Sequence, residues 1–567
     1  MEKRIIECVP NFSEGRDKAK IKEITDAICT VPGVTLLDVD PGEATNRTVV
    51  TFVGSPEDVV EAAFRGVRAA ARVIDMSVHH GAHPRMGATD VLPLIPVSGV
   101  TLEECADMAR ELSRRIADEL DIPVYCYEAA ALSPERKNLA VCRKGEYEGL
   151  AERLGTTNGS DFGNRPFDDK IARTGATAVG ARDFLIAVNF NLNTTSTRRA
   201  NAIAFDVREK GRPKREGGKP NGKPIKDEHG NTIMLPGTLK GTKAIGWFID
   251  EYGIAQVSMN ITDINATPLH VAFDEVCRAA AARGIRVTGT EIVGLVPRRA
   301  LIDAGKYFLK KQQRSVGIPE AEILRMAVKS MGLDELAPFN PSEKVIEYML
   351  ETSDKGSRLI EKTCRAFADE TSSESPAPGG GSISAYMGAL AAALGTMVAN
   401  LSAHKPGWDE RWEEFSNYAE GGRILVDRLL ELVDKDTDAF NEIMAAFSMP
   451  KGTDAEKEAR AAAIQAATLN AAMVPLDTMR EAYDVFDLCE AMTDLGNPAS
   501  VSDAGVGALA ARAAVLGAAL NVRINAAGLD DKQKADELVS TADELAAKAI
   551  EREKTIMEKV SAKIAEL

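Results

Sequence analysis

The chain has 567 residues, of which 44% are apolar and 27% are charged, and its formal net charge is −16 at pH 7. This length exceeds what one hydrophobic core supports and predicts two to four folded domains. The acidic surplus argues against a nucleic-acid or anionic-membrane partner, because a negative long-range field repels phosphate. Eight dispersed cysteines without a CxxC pair, and a start without a signal-peptide pattern, predict a protein of the reducing cytoplasm.

The first 130 residues alternate short apolar runs with helical patterns. The predicted order is strand, helix, strand, strand, helix, strand, at 5–9, 17–29, 34–39, 47–53, 56–73 and 90–97. This is the order of a ferredoxin-like sandwich, in which helices cover one sheet face and the other face stays free for another sheet. A helix at 101–120 and a strand at 122–127 are predicted to follow.

The same order recurs further along the chain, at 184–191, 197–208, 243–250, 254–261, 268–283 and 285–295. We therefore expect two related α/β sandwich subdomains, over residues 1–181 and 182–350, that face each other across a cleft. An insertion at 209–231 is rich in Lys, Gly and Pro. It is expected to be a flexible surface loop, and its positive charge would suit an acidic ligand tail.

The strand signals end with an apolar run at 345–350, and a polar joint at 351–356 marks a domain boundary. Residues 357–567 consist almost entirely of helix formers. The predicted fold class is therefore α+β, with two ferredoxin-like sandwiches followed by an all-α helical bundle. Residues 376–403 carry no charge and are long enough to span a bilayer, but their stripes of small residues favour a helix packed closely against another helix or subunit.

A loop at 77–91, SVHHGAHPRMGATDV, concentrates three histidines, His79, His80 and His83. Histidine exchanges protons near neutral pH, so His83 is a candidate general acid or base. Two alternatives remain open. The histidines are surface or structural residues, or His79 and His83 bind a metal, although a glycine and a proline break the helix that would put them on one face.

Two polar residues at predicted strand ends suit a ligand-binding cleft. Arg47 would bind a carboxylate in bidentate fashion, and Asp40 would orient a cationic nitrogen or a histidine. The alternative is that they are ordinary turn residues and surface ion pairs.

In the helical half, Asp436 falls on the apolar stripe of a predicted helix, three residues after Val433 and four before Phe440. Burial raises the pKa of a carboxyl group, so Asp436 is either paired in the core or poised for proton transfer. Asp434 and Asp438 point elsewhere and are predicted to be solvated.

A Gly-rich turn, SPAPGGGSIS at 375–384, leads into the uncharged helix. Backbone amides at a helix start bind anions such as carboxylates, and glycine lets the anion approach closely. Gly379, Gly380 and Gly381 are therefore candidate ligand-binding residues. The turn lacks the GK[ST] end of a phosphate-binding P-loop.

Motifs along almost the whole chain resemble formimidoyltransferase-cyclodeaminase, a family of bifunctional folate enzymes of histidine degradation. They include ECVPNFSEG, LLDVD, TNRTV, HPRMGATDV, GATAVGARDFLIA, GWFIDE, EIVGLVP, APGGGS, LVDKDTDAF, MPKGTDAEK and GNPASVSD, in the family's order. The resemblance implies that the first half transfers the formimidoyl group of N-formimidoyl-L-glutamate to N5 of tetrahydrofolate. The second half would cyclise the product to 5,10-methenyltetrahydrofolate and release ammonia. It further implies homo-oligomers, a folate that carries a polyglutamate tail, and no metal or redox cofactor.

The resemblance also implies roles for particular residues. The family histidine of HPRMG falls on His83, and the cyclodeaminase aspartate of VDxD falls on Asp436. Two folate-contacting segments fall on Gly163, Asn164, Arg165, Thr174 and Gly175, and on Gly237, Thr238, Leu239, Lys240, Gly241, Thr242, Lys243, Ala244, Ile245 and Gly246; Gly379, Gly380 and Gly381 join this folate-binding set. The competing interpretations are a transferase whose helical half only binds folate or builds the oligomer, and a non-catalytic folate-binding scaffold.

Overall fold

The computed structural model describes residues 4–42, 46–81, 85–218, 222–250, 252–353 and 358–566. The chain divides into two units, which we call the α/β unit, Met1–Leu301 with Met331–Ser353, and the helical unit, Ile302–Ser330 with Asp354–Leu567. The protein is therefore α+β. The predicted joint at 351–356 begins inside a helix that ends at Ser353, and its last three residues lie outside the described residues.

The α/β unit begins with a seven-stranded sheet and its helices. The elements are β1 (Ile5–Cys8), β2 (Asn11–Phe12), α1 (Lys18–Cys29), β3 (Val34–Gly42), β4 (Arg47–Gly54), α2 (Pro56–Val73), β5 (Thr89–Ser98), α3 (Leu102–Leu120), β6 (Val124–Glu128), α4 (Leu139–Cys142), α5 (Leu150–Arg153), α6 (Asp169–Thr174) and β7 (Thr177–Ala181). β1 and β2 each pair with both β4 and β5 and therefore lie between them, and β3 pairs with β4. On the other side of β5, β7 lies between β5 and β6 and runs parallel to both. The predicted order of strands and helices is confirmed.

Alternation along the strands divides this sheet into two faces. Ile6, Phe52 and Leu92 point into one core with apolar residues of α1, α2 and α3. Glu7, which pairs with Val53, therefore lies on the opposite face. The helices begin where the sequence caps them: Ser55 precedes Pro56 in α2, and Thr101 and Glu104 form a capping box in α3.

The second sheet has four antiparallel strands in the order β11-β12-β8-β13. The elements of this part of the chain are β8 (Ile186–Leu192), α7 (Thr197–Val207), β9 (Arg212–Pro213), β10 (Met234–Leu235), β11 (Thr242–Ile249), β12 (Ile254–Ile261), α8 (Leu269–Ala281) and β13 (Val287–Val293). β9 and β10 form a separate two-stranded sheet. The predicted repeat is confirmed. The described part of the Lys-rich insertion is more regular than expected, because β9 pairs with β10 and the Ile225 amide donates to the Lys214 carbonyl.

Four helices follow: α9 (Arg298–Lys311), α10 (Glu320–Met331), α11 (Pro341–Lys344) and α12 (Ile346–Ser353). The strand predicted at 345–350 is wrong. Val345 forms one isolated parallel bridge with Val296, after which the chain turns helical. The run IEYML contains Glu, Met and Leu, which are good helix formers, so local propensity prevails beyond the bridge.

The remaining helices form a bundle: α13 (Cys364–Thr371), α14 (Gly380–Ala403), α15 (Trp412–Phe447), α16 (Asp454–Leu495), α17 (Val501–Ala526) and α18 (Lys532–Glu566). The small residues of α14 let its neighbours approach closely, as predicted. A Cβ atom on Gly388 would lie 3.0 Å from Leu429, and one on Gly395 would lie 2.8 Å from Leu488. By length and composition alone, α14 and α17 would each cross a bilayer, but both contribute largely buried faces to the bundle core.

Candidate active sites

The histidine loop joins α2 to β5, and its flanks are described on both sides of residues 82–84. His83 itself lies outside the described residues. On the first flank, buried His79 donates from Nε2 to the Asn46 carbonyl at 2.9 Å, and Asn46 Nδ2 donates to the His80 carbonyl at 2.9 Å. The Gly15 amide donates to Asn46 Oδ1 at 3.0 Å. Asn46 thus ties this flank to the chain after β2, and His79 has a structural role.

Arg85 anchors the second flank. Its guanidinium donates to both carboxylate oxygens of Glu148, at 2.9 and 2.8 Å, and to the His79 carbonyl at 3.3 Å. Since the last bond joins the two flanks, Arg85 holds the ends of the loop together. The Met86 amide donates to Asp90 Oδ1 at 3.1 Å, which fixes the chain as it enters β5.

Two carboxylates and two guanidinium groups lie close together beside this loop. Asp90 is buried and forms an ion pair with Arg143. Burial lowers the pKa of the Arg47 guanidinium, while the Asp90 and Asp40 carboxylates raise it. Asp40 pairs with Val49 across β3 and β4, so Asp40 and Arg47 lie on the sheet face that is not covered by α1 to α3. The structure therefore brings these two predicted residues to one face.

The first predicted folate segment is split by the fold. Gly175 has φ +65 and lies against the second flank of the histidine loop, where a Cβ atom would be 2.2 Å from the Met86 carbonyl. The Thr174 carbonyl accepts from the Ala88 amide at 2.8 Å. Gly163, Asn164 and Arg165 lie instead near the start of β6, two strands from β5, so roughly 10 Å of sheet separates them.

The second predicted segment, residues 237–246, leads into β11 at the edge of the second sheet. Gly241 has φ +55, and its amide donates to Glu209 at 2.9 Å. Within β11, Thr242, Ala244 and Gly246 are buried, and Lys243 and Ile245 lie on the other face.

A polar network covers this face, and the sequence interpretation missed it. Trp247 Nε1 donates to Gln256 at 3.0 Å, Gln256 donates to Asn191 at 2.8 Å, and Asn191 donates to Glu335 at 2.7 Å. Gln256 and Asn191 are fully buried. The signal was present in the sequence, because polar residues occupy every second position of both strands, in NFN and QVSMN.

Glu7 is a second residue that sequence reasoning missed. It is 4% exposed and lies on the face of Asp40 and Arg47. Burial raises the pKa of its carboxyl group to about 7, and the Arg182 guanidinium opposes this shift. Each polar sheet face of the α/β unit thus contributes groups that suit a polar, charged ligand.

In the helical unit, Asp436 of α15 meets the Gly-rich start of α14. Asp436 Oδ2 accepts from the Ser382 amide at 2.8 Å and from the Ser382 hydroxyl at 2.9 Å. A Cβ atom on Gly381 would lie 2.0 Å from Asp436 Oδ1, so only glycine leaves room for the carboxylate. The anion held by this helix start in the structure is therefore the protein's own carboxylate.

Burial raises the pKa of Asp436, and the two hydrogen bonds from Ser382 oppose that shift. Among the described residues, no cation lies within ion-pair distance of Asp436. Asn521 of α17 lies beside Gly380, at the start of α14, and is a further polar residue near this site. A partly buried carboxyl group without a cationic partner keeps its proton to a higher pH than a solvated one, which makes it a candidate for proton transfer.

The neighbouring acids require one correction. Asp438 is exposed as predicted, but Asp434 is half-buried and accepts from the Leu359 amide at 2.7 Å. Burial raises the pKa of Asp434. The sequence alone did not show that the chain before α13 packs on this side of α15. Phe440, which helped to define the apolar stripe, is 36% exposed.

Comparisons with known proteins show the family to which the chain belongs. Residues 5–182 match a family model described as the N-terminal subdomain of the formiminotransferase domain, residues 187–351 match one for the formiminotransferase domain, and residues 363–544 match formiminotransferase-cyclodeaminase. The formimidoyltransferase-cyclodeaminase of Sus scrofa is 41% identical over 530 residues, which cover 93% of each chain. The chain belongs to the formimidoyltransferase-cyclodeaminase family.

Two shorter relatives correspond to parts of the chain. Glutamate formimidoyltransferase of Thermoplasma acidophilum is 40% identical over 323 residues, which are 56% of this chain and 96% of that protein. Methenyltetrahydrofolate cyclohydrolase of Methylorubrum extorquens is 40% identical over 203 residues, which are 36% of this chain and 98% of that protein. Family membership thus extends over both units, and shorter proteins exist that resemble separate parts of the chain.

Proposed function

We propose that this chain catalyses two successive reactions of folate metabolism. The first transfers the formimidoyl group of N-formimidoyl-L-glutamate to N5 of tetrahydrofolate, which acts as a co-substrate. The second cyclises 5-formimidoyltetrahydrofolate to 5,10-methenyltetrahydrofolate and releases ammonia. The main support for this proposal is the 41% identity to a formimidoyltransferase-cyclodeaminase over 93% of both chains, together with family matches in both halves.

For the transfer step, we propose that His83 moves the proton. N5 attacks the amidine carbon, a tetrahedral species forms, and the glutamate nitrogen must be protonated before it leaves. Arg47 would hold a glutamate carboxylate, and Asp40 would steady the histidine as an imidazolium. The position of both residues on one sheet face, with Arg47 half-buried, supports these roles.

For the cyclisation step, we propose that Asp436 is the general acid and base. N10 attacks the same amidine carbon, and the nitrogen that becomes ammonia must receive a proton. Burial raises the pKa of Asp436 above its ordinary value, and a raised pKa favours a carboxyl group that both accepts and donates a proton. Ser382 fixes one carboxylate oxygen by two hydrogen bonds, and Oδ1 remains directed at Gly381.

We further propose that the two glycine-rich segments of the α/β unit contact folate. Gly175 lies against the histidine loop, which supports a role close to the reacting atoms. Lys243 lies on the polar face of the second sheet, where its charge would favour a folate carboxylate. The network from Trp247 to Glu335 offers amide and carboxylate groups that match the donors and acceptors of a pterin ring.

The finer features of architecture and setting are also proposals. The strand order β3-β4-β1-β5, repeated as β11-β12-β8-β13, supports two ferredoxin-like sandwiches. The eight cysteines all lie within the described residues and form no disulfide with one another, which supports a reducing cytoplasm. Exposed apolar residues along α17, such as Leu520 and Ile524, support a homo-oligomer. We propose no metal for either step, since general acid–base catalysis accounts for both.

One experiment tests the proposed function. The protein is incubated with N-formimidoyl-L-glutamate and tetrahydrofolate, and methenyltetrahydrofolate and ammonia are measured separately. We expect equal amounts of both products. Accumulation of 5-formimidoyltetrahydrofolate without ammonia would instead indicate a transferase whose helical half only binds folate or builds the oligomer. Absence of any formimidoyl transfer would indicate a folate-binding scaffold.

A further inference from the structure

A groove of about 500 Å³ lies in the helical unit, remote from Asp436. One wall is the segment 314–319, and the others are the C-terminal half of α14 and the first part of α15. At 1.5 Å per residue, its nearest lining residues along the two helices, Ala393 and Val426, lie about 16 Å from Ser382 and about 15 Å from Asp436. The groove is therefore separate from the cyclodeaminase site.

Close contacts fix the groove in shape. Asn400 Nδ2 donates to the Gly317 carbonyl at 2.7 Å, and the Val316 amide donates to Ser416 Oγ at 3.1 Å. A Cβ atom on Gly317 would lie 2.2 Å from the backbone of Ala419, so glycine lets the segment lie directly on α15. These contacts fix the backbone of the segment 314–319 against α14 and α15.

The body of the groove is apolar. Ile318, Pro319 and Val426 line it, together with Met397 and Leu401, which are 38% and 48% exposed. Covering such surface with an apolar ligand removes it from water, which is favourable. The volume lies within the range of small-molecule sites.

The ionisable residues that line the groove are basic, although the protein as a whole is acidic. Arg314, His404 and Arg423 are its ionisable groups, and none of its lining residues is an Asp or Glu, although Asp427 pairs with Arg423 nearby. The chain as a whole carries a net charge of −16. A groove with basic groups over apolar walls complements an anion with an apolar body.

We propose that this groove binds a small organic anion, an aromatic or branched aliphatic carboxylate or sulfonate, at a site distinct from both catalytic sites. The anionic group would pair with Arg314 and Arg423, and the apolar body would lie on Met397 and Leu401. The inference is independent of the reactions proposed above.

The test uses 8-anilinonaphthalene-1-sulfonate, an aromatic anion whose fluorescence rises on binding. The full-length Met397→Trp protein, which fills the groove, is compared with Leu390→Trp, which adds the same side chain two helical turns away on α14. We expect Met397→Trp to bind one probe molecule fewer per chain than Leu390→Trp. Equal stoichiometry in both proteins would overturn the proposal.

Charge substitutions provide the second arm. Arg314→Gln combined with Arg423→Gln should weaken the groove site about tenfold or more, because a charge-assisted contact is lost. Arg428→Gln, on the same helix but outside the groove, should not. Ammonia release from 5-formimidoyltetrahydrofolate should persist in every variant, which shows that each protein is folded. If the arginine variants bind the probe as tightly as the wild type, or if a second copy of the chain occupies the groove in solution, the proposal fails.

Discussion

The two candidate catalytic sites are built differently. In the helical unit, one carboxylate on a long helix is held by the start of another, so Asp436, Ser382 and Gly381 define the arrangement. In the α/β unit, polar groups from several strands and loops share the task, and the flanks of the histidine loop depend on Asn46 and Arg85. We therefore expect the activity of the compact site to depend on single atoms, whereas in the dispersed site each substitution should remove only part of the activity.

The largest expected effect is on the compact site. Asp436→Asn keeps the shape but removes the exchangeable proton, so ammonia release should fall by about 10² to 10⁴-fold while formimidoyl transfer continues. Product analysis should show accumulated 5-formimidoyltetrahydrofolate. The matched control is Asp438→Asn, an exposed carboxylate two residues away, which should behave like the wild type. Normal ammonia release by Asp436→Asn would contradict the assignment of Asp436 as the general acid and base of this step.

The steric requirement at Gly381 gives the next effect. Gly381→Ala places a Cβ atom within 2.0 Å of Asp436 Oδ1, so the carboxylate must move, and ammonia release should fall by about 10²-fold. Gly421→Ala, on the helix that carries Asp436, is the control, since its Cβ atom would meet no atom within 4 Å. Steady-state kinetics of the second step would decide, and equal rates in the two variants would contradict the account.

A smaller loss is expected in the dispersed site. Asn46→Ala removes two side-chain hydrogen bonds, the one to the His80 carbonyl and the one from the Gly15 amide, and it places alanine at φ 49. We expect formimidoyl transfer to fall about tenfold. Ammonia release from supplied 5-formimidoyltetrahydrofolate, measured in the same preparation, serves as the control and should not change. A parallel loss of both activities would show that the substitution disturbs the whole chain.

The smallest effect concerns stability. The pKa of Glu7 is raised from 4.5 to about 7 in the folded protein, so the folded state retains a proton that the unfolded state releases. Glu7 therefore lowers the free energy of unfolding as pH rises from about 4.5 to 7. Glu7→Gln should raise this free energy above pH 7 by up to about 3 kcal/mol, and the gain should vanish near pH 4.5. Denaturant titrations at several pH values test this; a gain independent of pH would disagree.

Much of the fold could be predicted from the sequence because local patterns carry it. The period-2 and period-3.6 patterns gave the repeated order of strands and helices, and the glycines and alanines of α14 indicated close packing. The strand predicted at 345–350 failed because its pattern is short. Only the first residue, Val345, pairs, and helix formers follow it.

The candidate sites could be predicted only in part, because tertiary contacts complete them. Asp436 and the Gly-rich turn were each singled out, but their contact joins residues 54 positions apart and no local pattern encodes it. The burial of Glu7 and of Asp434 likewise depends on distant segments. The alternation of polar and apolar residues does place Asn191 and Gln256 on one face of the sheet. The sequence alone does not show which of the two faces the core covers.

The central claim is that proton transfer is divided between two separable sites, and one crossed assay tests it most directly. His83→Ala and Asp436→Asn are each given the substrates of each step, and the two rates are measured separately. The account predicts that His83→Ala loses transfer but releases ammonia from 5-formimidoyltetrahydrofolate at the wild-type rate, and that Asp436→Asn shows the reverse. Loss of both activities in either variant, with the fold intact, would contradict it.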